Sequence, residues 1–445
     1  MIHDLYSEYF YGKKVTVMGL GLLGRGVGDT LFLAENSAEI IVTDVKSADE
    51  LASSIDQLKG YPEIIQHLGV HLFPDFEKRD FILKAAGVPY DSEFIAYAKS
   101  LDIPVYMSAA LVSKIVMKSA LGVTIIGVTG TRGKSTVTQM IAYILASCGL
   151  RTYLGGNIRG VANLPLLKAL EEGDYLVLEL DSWQLQGFGD LKISPNIAVF
   201  TSFLDDHMGY YKNNKELYFN DKAHIYRHQS EYDVLIASEQ ATSEIHKRDQ
   251  QVKVTVPSYR HFDIKLIGEH NQVAAGLAYE AASQCGLADE DIQQALRNFE
   301  GVEGRLEDKG LFCGDKKIRV FNDNNATTGD ATIVAIDAIN ETYNKKPILI
   351  IGGADKGLAL DSLEQTILVG VKTCVYLAGT GTSRLNLPKE HVFETLRECV
   401  DKAFEIAQAG DIILLSPSFA SFSKEFNNEY ERNDEFVRVI EKYCS

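Results

Sequence analysis

Tryptophan occurs once in the 445 residues, cysteine six times and proline ten times. The cysteines, Cys148, Cys285, Cys313, Cys374, Cys399 and Cys444, are scattered, with no C-x-x-C pair and no histidine at zinc-ligand spacing. That excludes a disulfide framework and a structural zinc site, and predicts reduced, incidental thiols. Positive charge is in deficit: 44 Lys and Arg against 61 Asp and Glu leave a formal charge of −17. Nonspecific attraction to nucleic acid or an anionic membrane is disfavoured, so neither is expected as a partner, while a local basic pocket is still allowed. No apolar run approaches the roughly 18 residues of a membrane span. The segment MIHDLYSEYFYGKK lacks the basic-then-apolar order of a signal peptide. A cytoplasmic protein without membrane insertion is the expectation. Also absent are G-X-Y, heptad and fixed-period patterns, which leaves collagen-like, coiled-coil and repeat architectures without support.

What is present is apolar material in quantity: 46% hydrophobic, 24% charged and 9% aromatic residues describe a globular chain with several cores. At about 100–200 residues per domain the length allows two to four domains. Short β-branched runs alternate with longer amphipathic stretches, as in parallel sheets with helical crossovers, so the fold class is α/β. KKVTVMGLGLLGRGV followed by AEIIVTDVK predicts a Rossmann-like N-terminal domain over residues 1–112. GVTIIGVTGTRGKSTVTQMIAYILASCGL opens a P-loop-type central domain, residues 113–301. Beyond the polar stretch EGVEGRLEDKG, the runs KKIRVFND, KPILIIGG, KTCVYLAG and DIILLSPS predict a second Rossmann-like domain, residues 302–445.

Two glycine loops carry the chemistry. Gly130-x-x-Gly133-Lys134-Ser135 lies between an apolar strand and a helix and is a shortened Walker-like loop, since the first glycine of the full register would fall at Val128. Glycines let backbone N–H groups close on phosphate oxygens, a lysine meets their charge and a hydroxyl holds Mg²⁺. ATP with magnesium is the reading. Gly19-Leu20-Gly21-Leu-Leu-Gly24 follows the first strand, and Asp44 ends the next. This is a dinucleotide-type fingerprint that suits a redox cofactor or a uridine diphosphate, and two phosphate loops in one chain suggest two nucleotides. A nicotinamide oxidoreductase would leave the second loop unused, and a non-catalytic nucleotide sensor would not need the acidic and cationic residues that follow it.

The short loop form resembles that of the Mur ligases, and further motifs occur in that family's order. They are GNIRG (156–160), LELDSWQLQ (178–186), LDDHMGYY (204–211), NDKAHIY (220–226), GEHN (268–271), Gly304-Arg305, NDNNATTGDAT (322–332), GGADKG (352–357) and SPSFASF (416–422). The N-terminal dinucleotide-like domain and the last two motifs favour the glutamate-adding branch over the folylpolyglutamate type. The resemblance implies an ATP-dependent, amide-forming ligase acting as a monomer on UDP-N-acetylmuramoyl-L-alanine and glutamate, D-glutamate first and L-glutamate as the alternative. It implies ATP contacts from Gly130, Thr131, Gly133, Lys134, Ser135, Thr136, Asn271, Arg305 and Asp323, with ATP bridging two domains. Metal ligands for one or two Mg²⁺ would be Ser135, Glu179, His207 and Lys222, the lysine carbamylated so that a cation becomes a carboxylate-like ligand. Lys134, Glu179, His207 and Lys222 would carry the catalysis. Gly19, Leu20, Gly21, Asp44, Gly87, Asn157 and His207 would hold the uridine-nucleotide substrate. Thr327, Lys356, Ser421 and Phe422 would receive the glutamate.

The chain departs from the family pattern in four places. Asp181-Ser182-Trp183-Gln184 replaces Ser-Ser-Phe-Gln, setting a carboxylate and the lone tryptophan beside the expected metal site. Gly304 stands in place of a histidine and Asn325 in place of a lysine, and NNEYERND fits its pattern only with a gap. The last two changes fall on the side of the incoming amino acid.

Overall fold

The computed structural model describes every residue except 1, 37, 259, 422–424, 427 and 445, and the side chains of residues 2–5 are likewise left aside. Phe422, expected at the glutamate site, therefore lies outside the described residues.

Three sheets form. The first contains β1 (Lys14–Met18), β2 (Glu39–Asp44), β3 (Ile65–Leu68), β4 (Phe81–Lys84) and β5 (Val105–Tyr106) in the order β3-β2-β1-β4-β5, every pair parallel. The second contains β6 (Thr124–Thr129), β7 (Thr152–Gly156), β8 (Tyr175–Glu179), β9 (Ile197–Phe200) and β10 (Val234–Ala237) in the order β10-β9-β6-β8-β7, again all parallel. The third contains β11 (Glu307–Phe312), β12 (Ile318–Asn322), β13 (Ile348–Gly352), β14 (Thr373–Leu377), β15 (Val392–Phe393) and β16 (Ile412–Leu415) in the order β11-β12-β16-β13-β14-β15, with β11 an antiparallel edge. The α/β class expected from alternation is what forms. The chain gathers into two compact units, one of residues 1–260 and 274–296 with the first two sheets, the other of residues 261–273 and 297–445 with the third.

A parallel sheet is covered by helices on both faces, so its strands must be apolar on both sides. Ile125, Ile126 and Val128 of β6 are fully buried, as are Leu176, Val177 and Leu178 of β8. Three buried charged residues stand where a strand leaves its sheet. Asp44, Lys84 and Glu179 are the last residues of β2, β4 and β8, at the carboxyl ends where open parallel sheets bind ligands. Within the first unit the helix Arg25–Glu35 packs against the segment after β7. A Cβ added at Gly28 would come within 2.5 Å of the Ala162 Cβ, and the buried Asp29 carboxylate accepts the Leu164 N–H at 2.8 Å.

Candidate active site

The phosphate loop joins β6 to the helix Lys134–Ser147, so Lys134 and Ser135 are the first two residues of that helix and Thr136 the third. The segment after the neighbouring β9 grips the loop. Thr131 N–H donates to the Ser202 carbonyl at 2.7 Å, Arg132 N–H to Ser202 Oγ at 2.8 Å, and Thr201 Oγ1 to the Arg132 carbonyl at 2.5 Å. This grip is why Gly130 is required: at φ 150° its missing Cβ would stand 2.0 Å from Thr201 Oγ1. Gly133, left-handed at φ 82°, opens the helix without a side-chain cap, and a helix N-terminus of this kind suits an anion. The Lys134 ammonium lies over the loop, donating to the Gly130 and Thr131 carbonyls at 3.0 and 3.3 Å.

Glu179 stands opposite Val128 in the β6–β8 register, beside the mouth of this loop, and its side chain is buried. Asn157 holds it twice: backbone N–H to the Glu179 carbonyl at 2.8 Å, and Nδ2 to Glu179 Oε1 at 3.4 Å. Gly156 permits this approach, because a Cβ there would sit 2.0 Å from the Glu179 carbonyl oxygen at a left-handed φ of 83°. Asp181 has a defined structural task. It caps the helix Ser182–Leu191 in a reciprocal capping box with Gln184. Trp183, the other change in that motif, packs against the His207 ring with centroids 4.9 Å apart. His207 itself is left-handed at φ 54°, its backbone N–H held by Asp206 at 2.9 Å, and Lys134, Lys222, Asp181 and Asp206 all act electrostatically on its ring. Asp206 pairs with Arg132 at 2.7 Å and Asp205 with Lys215 at 2.7 Å.

Lys222, on the helix Lys215–Ala223, is only 1% exposed and donates to the Gly130 carbonyl at 2.8 Å and toward Thr129 Oγ1 at 3.4 Å. Burial, reinforced by the charge of Lys134, pushes its amine well below the usual lysine range. The donor set fits magnesium in its usual mode. Among the described residues no group of three or more His, Cys, Asp or Glu forms a metal cage. One buried carboxylate, Glu179, and one hydroxyl, Ser135, beside a phosphate loop suit a hard cation completed by substrate phosphate and water.

The first glycine loop lines a cavity together with the loop after β4. Gly19, Leu20, Gly21 and Gly87 all face it; Asp44 and Asn157 do not. Asp44 instead anchors the loop, accepting the Gly21 N–H at 3.0 Å and the Lys46 N–H at 2.9 Å. The same cavity exposes residues that motif reading missed. Lys84 is 2% exposed, donates to the Val88 and Ala85 carbonyls at 2.6 and 3.2 Å, and is drawn down to about 8 by burial. It clamps the loop that presents Gly87. Its signal was a lysine inside the apolar run FILK. Arg25, directly after Gly24 in the fingerprint, also lines the cavity and donates to Asn157 Oδ1 at 2.5 Å.

In the second unit three loops are knitted together. Ser416 Oγ donates to Asp323 Oδ2 at 2.9 Å, Ser418 N–H to the Ala326 carbonyl at 2.8 Å, and Ala354 and Ala420 exchange backbone bonds at 2.9 and 3.0 Å. They bring Thr327 and Lys356 into contact, Nζ to Oγ1 at 2.8 Å, with Ser421 buried on the third loop. Asp323 is buried, accepts the Leu306 N–H at 3.0 Å, and is raised to about 7 by desolvation. Asn271, buried, and Arg305, exposed, belong to this unit, whereas Lys134 and Ser135 belong to the first.

The departures Gly304 and Asn325 prove to be neighbours. Asn325 N–H donates to the Gly304 carbonyl at 3.0 Å, and a Cβ at Gly304 would come within 3.0 Å of Asn325 Nδ2. Arg432, another residue motif reading did not single out, is 1% exposed and donates to both the side-chain and main-chain oxygens of Asn324 at 2.8 Å.

Compared with known proteins, residues 128–272 match the family model described as the Mur ligase middle domain. A UDP-N-acetylmuramoylalanine–D-glutamate ligase of Roseiflexus sp. (strain RS-1) is 31% identical, over 97% of this chain and 99% of the relative. The enzyme of that name from Streptococcus agalactiae serotype III (strain NEM316) is 32% identical, over 97% and 98%. Among solved structures, the UDP-N-acetylmuramate-alanine ligase MurC of Thermotoga maritima matches with a TM-score of 0.62 at 17% identity, covering 97% of this chain and 99% of that one. The MurF ligase of Thermotoga maritima, solved in complex with ADP, matches at 0.61 with 13% identity, covering 98% and 96%. At these identities the structural matches establish the fold.

Proposed function

The chain belongs to the Mur ligase family, and from that premise we propose that it is the ATP-dependent ligase joining D-glutamate to UDP-N-acetylmuramoyl-L-alanine in peptidoglycan precursor synthesis. The relatives described above are ligases, and the nicotinamide oxidoreductase reading falls away. The observation that carries the proposal is the phosphate loop with Lys134 and Ser135 at the head of its helix and buried Glu179 at the end of the adjacent strand.

The alanyl carboxylate attacks the γ-phosphate of ATP, releasing ADP and giving an acyl phosphate. The glutamate amine then displaces phosphate, forming the amide. Each reactant is an anion and the protein's net charge is −17, so local cations must align them. Lys134 meets the charge that develops on the transferring phosphoryl group. Gly130, Thr131, Gly133 and Thr136 supply the rest of the loop, and Asn271, Arg305 and Asp323 the remaining ATP contacts. Ser135, Glu179, His207 and the Lys222 carbamate would hold Mg²⁺, which would supply neutralisation of phosphate charge. Lys222, buried and with its amine lowered toward the neutral form, suits attack on CO₂, one proton leaving to solvent as the carbamate forms. The uridine nucleotide occupies the cavity of Gly19, Leu20, Gly21 and Gly87, a loop held by Asp44, with Asn157 and His207 toward the acyl end. Thr327, Lys356 and Ser421 receive the glutamate, Lys356 pairing with a carboxylate. In this reading the enzyme works as a cytoplasmic monomer.

The test is ADP release from purified protein given ATP, Mg²⁺ and UDP-N-acetylmuramoyl-L-alanine with D-glutamate or L-glutamate separately. Turnover with the D-isomer is expected. Turnover with L-glutamate alone would reassign the stereochemistry, and no turnover with either would refute the proposal.

A further inference from the structure

Resting on the functional reading above, we infer that Arg25 is a positioning residue that couples occupancy of the first glycine loop to the Glu179 carboxylate, acting through the Asn157 amide. Arg25 opens the helix that follows the glycine fingerprint and is one of the residues lining the cavity shared by Gly21, Lys84 and Gly87. It donates at 2.5 Å to Asn157 Oδ1, which belongs to the segment leaving the second sheet. An amide has one acceptor end and one donor end. With Oδ1 committed to the guanidinium, Nδ2 must point the other way, where it lies 3.4 Å from Glu179 Oε1. Flipped, the amide would set an oxygen against a carboxylate and an N–H₂ against a cation, so Arg25 decides the orientation.

The rest of the link is rigid. The Asn157 backbone donates to the Glu179 carbonyl at 2.8 Å, and Gly156 packs directly on that peptide. Beneath Arg25 the same helix is seated on the Asn157 segment by the Gly28–Ala162 contact and the Asp29–Leu164 hydrogen bond. A diphosphate in the cavity places negative charge beside Arg25, holds its long side chain against Asn157, and thereby orders the amide that faces Glu179. Ordering by one ligand lowers what the second must spend, which makes binding of the two mutually favourable and reciprocal.

The experiment is calorimetric titration of the full chain with a non-hydrolysable ATP analogue and Mg²⁺, with and without saturating UDP-N-acetylmuramoyl-L-alanine. In the wild type the uridine nucleotide should tighten analogue binding by about fivefold or more, the scale of ordinary coupling between sites. Arg25→Met should bring the two affinities within about twofold of each other, and Arg25→Lys, which keeps charge and a donor, should retain part of the coupling. If Arg25→Met does not fold, Arg25→Gln carries the same comparison. Binding of both ligands without coupling in the wild type, or equal coupling in Arg25→Met, overturns this inference alone. Failure of either ligand to bind the wild type overturns the functional reading, and this inference with it.

Discussion

The Lys222 side chain reaches under the phosphate loop and donates to the Gly130 carbonyl at 2.8 Å. A fully buried amine beside Lys134 is held toward its neutral, nucleophilic form. With ¹³C-labelled bicarbonate, the wild type should show a carbamate carbon resonance that Lys222→Ala lacks. The same variant should lose turnover by about a hundredfold or more, as expected for removal of a preorganised charged group. A wild type without the resonance would exclude the modification.

Lys134→Ala should reduce ADP release by roughly 10²–10³-fold, since phosphoryl transfer depends on charge neutralisation more than on covalent help. The affinity for UDP-N-acetylmuramoyl-L-alanine, measured by calorimetry without ATP, should be unchanged. Near-normal ADP release would mean that the loop has another role.

Lys356 is exposed, and its ammonium donates to Thr327 Oγ1 at 2.8 Å. Lys356→Ala should raise KM for glutamate by roughly 10–100-fold, the value of one charge-assisted hydrogen bond, and leave KM for ATP alone. Equal rises in both would argue against a glutamate contact.

Asp29 is buried on the helix Arg25–Glu35, and desolvation raises its carboxyl from 3.8 to about 6. Between those values the folded protein keeps a proton that the unfolded chain releases, so stability falls as pH rises through this window and stays lower above it. The difference corresponds to roughly 3 kcal/mol at most. Asp29→Asn keeps an oxygen for the Leu164 N–H and removes the titration. Its Tm should exceed that of the wild type at pH 7.5 and converge toward it near pH 4. A constant Tm difference across the range would contradict the assignment.

Gly156→Ala places a methyl group 2.0 Å from the Glu179 carbonyl oxygen at a left-handed φ. It should cost about 2 kcal/mol or more in denaturant unfolding. Activity should fall further than the stability loss explains, because the β7–β8 contact also sets Glu179. Wild-type stability would show that the strands separate freely.

Alternation of β-branched runs with amphipathic stretches was enough to recognise an α/β chain, because parallel strands and their crossovers each impose a local period. The glycine loops were legible for the same reason: Gly130 and Gly133 answer to backbone geometry within a few residues. Glu179 was visible as a charge ending an apolar strand. Lys84 carries that same signal on a shorter run, and Arg25 directly follows the glycine fingerprint, but the partner of Arg25, Asn157, is not encoded locally. Asp181, the carboxylate set beside the expected metal site, caps a helix, a role its spacing to Gln184 already encodes.

The sequence by itself therefore determined the element types, the two glycine loops and the charges at strand ends, all consequences of short-range period and backbone preference. Tertiary structure alone decided the pairings: Arg25 with Asn157, 132 residues away, Lys222 with Gly130, 92 away, and Gly304 with Asn325. Periodicity says which face of an element is buried but not which strand ends lie side by side, and sheet order, set by the packing of crossover helices, is what brings those side chains together.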